Sequence, residues 1–279
     1  MNISRLAFIL ALLIGFPPLI QVTRSADPQS ASSKRNPRPL VFVITGESNS
    51  GGIGKNADAK AKELQARSSV QIMNLTEGTF GFEDLRIGFN NLRDHYRLDK
   101  FYDDHHGLEL GLANKVESGA FPGHRQVFLI KTGQGGSRIR QWAKSNPSKF
   151  LEKFDQRIEA GKKQLPENPQ WIVWFSLGIN DGIDGVPIEQ WKKDVESHLS
   201  RISARLPNAV IVMTQFQSMG YPEINKAIAV IADAEQHILA VDSIGTSLRD
   251  KNHWDYSGLK AMADRMVIAT RKLLQSSPP

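Results

Sequence analysis

Residues 40–49 read LVFVITGESN, an apolar run that passes directly into a polar turn. The run Leu40–Ile44 is short and rich in β-branched residues, as expected for a strand buried on both faces of a parallel sheet. The polar turn Gly46-Glu47-Ser48-Asn49 follows at once. A serine in a glycine-bounded turn before a helix is usually a helix cap, so a chemical role for Ser48 needs support from elsewhere in the chain.

The remainder of the chain alternates between strand and helix patterns. Four further apolar runs predict strands, at Val70–Met73, Val127–Ile130, Trp171–Phe175 and Ala209–Met213, and Leu239–Val241 predicts a weak edge strand. Apolar residues spaced by three or four predict helices, from Ile188 to Leu206, from Phe150 to Leu165, from Leu259 to Leu273, and from Pro222 to His237. This alternation predicts one α/β domain whose parallel sheet is covered on both faces.

Polar residues follow several of these strands. Gly135-Gly136-Ser137 comes after the third predicted strand and Gly178-Ile179-Asn180-Asp181 after the fourth, and Asp250-Lys251-Asn252-His253 lies near the C-terminus. Active sites of open parallel sheets lie at the carboxyl ends of the strands. We therefore expect Ser48, Gly136 and Asn180 to meet at one edge of the sheet.

The residue types in these segments suit the attack on an ester. Ser48 would be the nucleophile, His253 its base, and Asp250 the carboxylate that orients the imidazole. The Asn180 amide, with the backbone N–H groups of Ser48 and Gly136, would form the oxyanion hole.

Other interpretations of these residues remain. Asn180 could only close a turn, since Asn-Asp-Gly is a strong turn sequence. Asp255 is a rival partner for His253, but it is better placed to cap the last helix. The Ser48 turn is neither a P-loop, which ends in Lys-Ser/Thr, nor a Gly-x-Ser-x-Gly elbow, because position 50 is Ser.

Taken together, the segments resemble the conserved blocks of the SGNH hydrolases, within them the sialate O-acetylesterase-like group that includes carbohydrate acetylesterases. That group carries a Gly-Gln/Glu-Ser-Asn block, a Gly-Gly-Thr/Ser…Trp block, a third block after an aromatic-rich strand, and Asp-x-x-His. The matching residues are Gly46-Glu47-Ser48-Asn49, Gly135-Gly136-Ser137 with Trp142, Gly178-Ile179-Asn180-Asp181, and Asp250…His253. His106-Gly107-Leu108-Glu109-Leu110 resembles the family's helix start before its third strand. The resemblance runs from about Leu40 to about Leu274.

The resemblance implies a flavodoxin-like α/β/α sandwich with a five-stranded parallel sheet of order 2-1-3-4-5. It also implies hydrolysis of acetyl esters on carbohydrates through an acyl-enzyme, without a cofactor or metal. Residues expected to contact substrate are Gly135, Ser137, Arg138 and Trp254. Many members of the acetylesterase group have Gly-Glu-x-Asp in the third block, and the Asn180 segment departs from it. A lipid or aryl esterase, and a non-catalytic glycan-binding protein, are the alternatives.

Composition and the N-terminus suit a secreted enzyme. Residues 1–26 predict a signal peptide, with Arg5 before the apolar stretch Leu6–Phe16, and residues 27–39 predict a flexible linker before a catalytic domain at 40–279. We expect a secreted or periplasmic protein with no stable membrane association after cleavage. The formal charge of +6 comes without the basic, aromatic-interleaved clusters of nucleic-acid-binding proteins. Cysteine is absent, which excludes disulfides and thiolate metal sites.

Two further segments have open interpretations. Asp103-Asp104-His105-His106 has residue types that bind metals, but adjacent residues on an extended chain point to opposite faces, so a solvated loop is the favoured interpretation. The aromatic-rich insert Thr76–His106 is long for a connection. It could pack over the site and shape a sugar-binding wall, or form a satellite of the core.

Overall fold

The computed structural model of the protein describes residues 38–74, 80–95, 100–124, 126–143 and 149–276. The predicted signal peptide and all of the predicted linker except residues 38 and 39 lie outside these ranges. Within them, no helix is long and apolar enough to cross a membrane.

The central sheet has seven strands among the described residues. They are β1 (Leu40–Gly46), β2 (Arg67–Met73), β3 (Phe82–Leu85), β4 (Val127–Lys131), β5 (Gln170–Ser176), β6 (Val210–Thr214) and β7 (Ile238–Val241). The order across the sheet is β7-β6-β5-β1-β4-β2-β3. All neighbours pair in parallel except β3, which is antiparallel to β2. The five predicted strands are confirmed, and the predicted edge strand becomes β7.

The strand order corrects the order that the resemblance implied. β1 lies between β4 and β5, so the first five parallel strands run 2-3-1-4-5 in the numbering of the prediction instead of 2-1-3-4-5. Hydrophobic runs mark which segments are buried strands, but they contain no information about which strands pair. The sheet also has two more strands than the five expected.

Seven α-helices cover or border this sheet within the described ranges. They are α1 (Ser48–Gly51), α2 (Leu108–Glu117), α3 (Phe150–Lys162), α4 (Ile179–Ile183), α5 (Ile188–Arg205), α6 (Pro222–Ala234) and α7 (Tyr256–Ser276). Consecutive residues of β5 show the two covering layers. Trp174 Nε1 donates to Thr270 of α7, 3.0 Å away, whereas the ring of Phe175 lies 5.9 Å from that of His198 in α5. Because neighbours in a strand point to opposite faces, helices cover both faces.

The two shortest helices carry two of the predicted site residues, Ser48 in α1 and Asn180 in α4. α1 and α4 begin just after β1 and β5, which are neighbouring parallel strands, so their first turns lie side by side. The close contact between the ends of β1 and β5 requires glycine at position 46. Gly46 has φ +132°, and a Cβ there would lie 1.9 Å from the Ser176 carbonyl oxygen. The Glu47 N–H donates to the same carbonyl at 2.8 Å, which joins the end of β1 to the end of β5.

Candidate active site

Three side chains predicted to act together form one hydrogen-bonded chain. Ser48 Oγ lies 2.9 Å from His253 Nε2. On the other side of the imidazole, His253 Nδ1 lies 2.7 Å from Asp250 Oδ1 and 2.9 Å from Oδ2. The rival Asp255 caps α7 instead, accepting the Gly258 N–H at 2.8 Å. This arrangement is suited to removing a proton from Ser48 and holding the resulting imidazolium.

The electrostatics of Asp250 favour its ionised form. Partial burial opposes ionisation, but the Asn252 N–H, 2.9 Å away, and His253 both donate to its carboxylate. With the positive charges of His253 and Arg249, these bonds hold the pKa of Asp250 below its ordinary value. Asp250 therefore presents a carboxylate to His253 near neutral pH.

Asn49 fixes the segment that carries the histidine. Its side chain is fully buried, and Nδ2 donates to the Asn252 carbonyl at 2.9 Å while Oδ1 accepts the Trp254 N–H at 3.2 Å. One amide thus binds the backbone on both sides of His253. No role for Asn49 follows from the sequence motifs, although its position beside Ser48 is the signal that could have indicated one.

The two glycines of the glycine block differ in burial and in backbone conformation. Gly136 has φ +75° and is half-buried, whereas Gly135 is buried in a short strand, Gln134–Gly135. The left-handed backbone at Gly136 suits glycine, which also leaves room for a substrate atom to approach. These two features are the ones expected of the glycine that the sequence predicts as a donor, and Gly136 has them whereas Gly135 does not.

Asn180 lies against two acceptors. Its Nδ2 donates to the Ser137 carbonyl at 3.1 Å and also to the carboxylate of Glu47. The neighbouring Asp181 is buried and accepts the Ile139 N–H at 3.1 Å. Burial raises the pKa of Asp181 to about 6, although that N–H and the Arg138 charge lower it. Asn180 and Asp181 thereby attach the third block to the segment that follows the glycine block.

Glu47 is a buried carboxyl that the sequence analysis gave no role. Its oxygens accept the backbone N–H groups of Gly178 at 2.9 Å, Ile179 at 2.7 Å and Asn180 at 3.2 Å, in addition to the Asn180 amide. Full burial raises its pKa to about 8, and the negative Asp181 adds to this, while the N–H donors act in the opposite direction. The residue that precedes Ser48 therefore holds the turn that carries Asn180.

The residues predicted to contact substrate fall into two groups. Arg138 is half-buried, and its Nη2 donates to Asp184 Oδ1 at 2.8 Å, with Nη1 3.3 Å from the Gly136 carbonyl. Ser137 and Trp254, by contrast, are fully buried.

The partners of these two buried side chains explain their role. Ser137 Oγ accepts the Trp142 indole N–H at 3.1 Å, and the Trp254 indole donates to Thr246 at 3.0 Å. This corrects their assignment, because both side chains support the site from behind instead of presenting a surface to substrate.

The described part of the insert reaches the turn that carries Ser48. Arg93 Nη1 donates to the Gly52 carbonyl at 2.9 Å, just after α1. The short strand Arg93–His95 pairs in parallel with Gln134–Gly135 of the glycine block. Lys131, at the end of β4, is buried and donates to the Gly51 carbonyl at 2.8 Å. The insert therefore packs on two segments of the site.

The described ranges contain no group of three or more His, Cys, Asp or Glu side chains able to hold a metal. His105 and His106 lie in a two-residue strand that pairs with Gly54–Lys55, and His105 Nδ1 lies 2.5 Å from Asp104. Gly107 is the N-cap of α2, which confirms the predicted helix start.

Comparison with known proteins gives the family. The profile described as carbohydrate esterase, sialic acid-specific acetylesterase, matches residues 38–272. The chain belongs to this family. It is accordingly a carboxylic ester hydrolase of the acetylesterase type, and the resemblance noted in the sequence is confirmed. No curated protein matches the sequence.

Solved structures are similar in fold. A protein of Arabidopsis thaliana has a TM-score of 0.67 at 17% identity, covering 86% of this chain and 99% of its own. NanS has a TM-score of 0.56 at 12% identity, covering 86% and 98%. A carbohydrate acetylesterase from Xanthomonas citri has a TM-score of 0.58 at 11% identity, covering 85% of this chain and 57% of its own. At these identities, the similarity concerns the fold alone.

Proposed function

We propose that this carbohydrate esterase is a secreted serine enzyme that removes acetyl groups from a carbohydrate through an acyl-enzyme. The observation that carries the proposal is the continuous chain from Ser48 Oγ through His253 to Asp250, with distances of 2.9 and 2.7 Å. Hydrogen bonds of this length, in this order, are what a serine nucleophile, its base and its orienting carboxylate require.

The reaction would proceed in two stages, which are the formation of the acetyl-enzyme and its hydrolysis. Ser48 Oγ attacks the acetyl carbon while His253 Nε2 takes its proton, and the carbonyl oxygen becomes negative. The intermediate collapses, the C–O bond to the sugar breaks, and the sugar oxygen takes the proton from Nε2. A water molecule then attacks the acetyl-enzyme with His253 as base, which releases acetate and restores Ser48.

The negative oxygen would be held by the N–H groups of Ser48 and Gly136 and by the Asn180 amide. The left-handed, half-buried Gly136 supports the second of these. Asn180 would exchange its 3.1 Å bond to the Ser137 carbonyl for the oxyanion while keeping its bond to Glu47. Arg138, which is half-buried, would lie at the edge where the sugar binds, whereas the buried Gly135 would not be exposed to it.

The remaining assignments complete this proposal. Residues 1–26 would be removed as a signal peptide, residues 27–39 would link to the catalytic domain at 40–279, and the enzyme would act in the periplasm or outside the cell. The reaction as written needs no cofactor or metal, since the nucleophile, base and oxyanion donors all come from the chain.

The experiment is release of acetate from a panel of acetylated polysaccharides, beside aryl esters of increasing acyl length. The purified enzyme should release acetate, and its rate on aryl esters should fall steeply from acetyl to butyryl. Ser48→Ala is the matched control, because it removes one oxygen from a residue that is nearly buried. Comparable rates on octanoyl and acetyl esters would favour a lipid esterase, and sugar binding without any acetate release would favour a non-catalytic glycan-binding protein.

A further inference from the structure

Tyr221, the residue before α6, has an unusual backbone. Its φ and ψ are 57° and 52°, in the left-handed region. Among the described residues, the other non-glycine residues with positive φ are Lys149, Asn168 and Asn208. Asparagine tolerates this region, but it is unfavourable for an aromatic residue. A strained backbone of this kind persists only where the surrounding contacts enforce it, and such residues cluster at functional sites.

The side chain of Tyr221 connects two parts of the active site. Its ring packs on Gly182 of α4, where a Cβ would lie 2.4 Å from the tyrosine Cδ1. Its hydroxyl donates to Asn252 Oδ1 at 2.7 Å. Tyr221 thus reaches from the helix that carries Asn180 to the residue directly before His253.

Asn252 is held at three points. Its N–H donates to Asp250 at 2.9 Å, and its carbonyl accepts the Asn49 amide, also at 2.9 Å. The Tyr221 hydroxyl holds its side chain. The first two bonds come from residues within the proposed catalytic blocks, whereas the third comes from a separate segment between β6 and α6.

We propose that Tyr221 is a positioning residue, which holds the loop Asp250–His253 so that His253 Nε2 faces Ser48. It acts through Asn252 and does not touch the reacting atoms. The kinetic consequence of this proposal rests on the proposed esterase function, whereas the contact itself does not.

The ionisation of Tyr221 suits this role. Burial, with the negative charge of Glu47, raises the pKa of its hydroxyl above the ordinary value. The hydroxyl therefore keeps its proton at neutral and mildly alkaline pH, and it remains a donor to Asn252 over that range.

Tyr221→Phe tests the proposal with the smallest change. The ring can stay against Gly182 while the hydroxyl is lost. We expect kcat on an aryl acetate to fall about three- to tenfold, the effect of one neutral hydrogen bond, with KM unchanged. The rate at which an organophosphonate labels Ser48 should fall by a similar factor, because labelling requires the same Ser48–His253 pair.

Tyr256→Phe is the matched control. Its hydroxyl also donates a 2.7 Å hydrogen bond, but to Glu63. We expect it to retain the wild-type kcat. An equal loss in both variants would mean that removing any half-buried tyrosine hydroxyl slows the enzyme, and it would overturn the proposal.

A double-mutant cycle tests whether Tyr221 acts through Asn252. Asn252→Ala removes the acceptor, so Tyr221→Phe should cost little more when added to it. Additive losses would show that Tyr221 does not act through Asn252. A raised KM with unchanged kcat would instead make Tyr221 a substrate contact, and this too contradicts the proposal.

Hydrogen exchange gives a readout that needs no activity. Backbone amides of residues 249–254 should exchange faster in Tyr221→Phe than in the wild type, and Tyr256→Phe should leave them unchanged. Unchanged exchange in Tyr221→Phe would overturn the proposal. Faster exchange in a protein whose wild type releases no acetate would retain the positioning contact and remove only the esterase function.

Discussion

The two halves of the site are built by different means. The proposed triad, Ser48, Asp250 and His253, forms the triad half. Its members are joined by side-chain hydrogen bonds, and the Asp250 side chain is 49% exposed. The proposed oxyanion donors, Gly136 and Asn180, form the oxyanion half. Two buried carboxyls hold segments of this half: Glu47 accepts from the Asn180 amide, and Asp181 accepts the Ile139 N–H, three residues after Gly136. The groups proposed to react lie at the edge of the sheet, and the groups that hold the oxyanion half lie in the interior.

The largest effect should come from the triad half. Ser48→Ala removes the nucleophile, and loss of a catalytic serine costs on the order of a millionfold in turnover. Turnover of an aryl acetate by the purified variant should fall to background, with a melting temperature near that of the wild type. A folded Ser48→Ala protein that keeps its turnover would show that Ser48 is not the nucleophile.

Asp250→Ala should have the next largest effect. The variant keeps Ser48 and His253 but loses the carboxylate 2.7 Å from Nδ1, so the imidazole is neither oriented nor stabilised when charged. Loss of this group costs on the order of ten-thousandfold in serine hydrolases. Asp255→Ala is the control, since Asp255 caps α7, and it should change the melting temperature more than kcat. The reverse ranking would make Asp255 the partner of His253.

A smaller loss is expected in the oxyanion half. Asn180→Ala removes one donor, which costs on the order of a hundred- to a thousandfold in kcat with little change in substrate binding. Asp181→Asn alters the neighbouring attachment to Ile139 without removing an oxyanion donor, and it should cost far less. Equal losses would mean that Asn180 only shapes the turn. Asn180→Asp cannot separate these roles, because its carboxylate would lie against Glu47.

The smallest predicted effect is on the pH dependence of stability, and it concerns Glu47 in the oxyanion half. The pKa of Glu47 is raised from its ordinary 4.5 to about 8, so the native state binds this proton more tightly than the unfolded state. The stability that Glu47 contributes is fully present below about pH 4.5 and is lost as the pH rises to about 8. Melting temperature from pH 5 to 9 should therefore fall more in the wild type than in Glu47→Gln. Parallel curves would show that Glu47 is ionised throughout.

The contrast also explains what the sequence could predict. Asp250 and His253 are three residues apart, and Ser48 follows a plain strand pattern, so local spacing was enough to find them. Glu47 adjoins Ser48, but its role depends on N–H groups more than 130 positions away, beyond the reach of local patterns. Tyr221 belongs to no motif, and its left-handed backbone is visible only in three dimensions. The order of β1 and β4 is likewise a long-range property.

The burial of individual side chains is a second property that could not be predicted from the sequence. Ser137 and Trp254 have side chains that commonly bind sugars, yet both are fully buried and bond to protein partners. Residue type showed what these side chains can do, but only packing decides whether a substrate can reach them.

The most direct test of the account is to locate the nucleophile by mass spectrometry after labelling with a serine-directed organophosphonate. The account predicts a single adduct on Ser48, and none after Ser48→Ala. Ser50 Oγ is buried and donates to the Glu47 carbonyl at 2.7 Å, and Ser137 is buried behind Trp142, so neither should react. An adduct on Ser50 or Ser137, with Ser48 unmodified, would contradict the central claim.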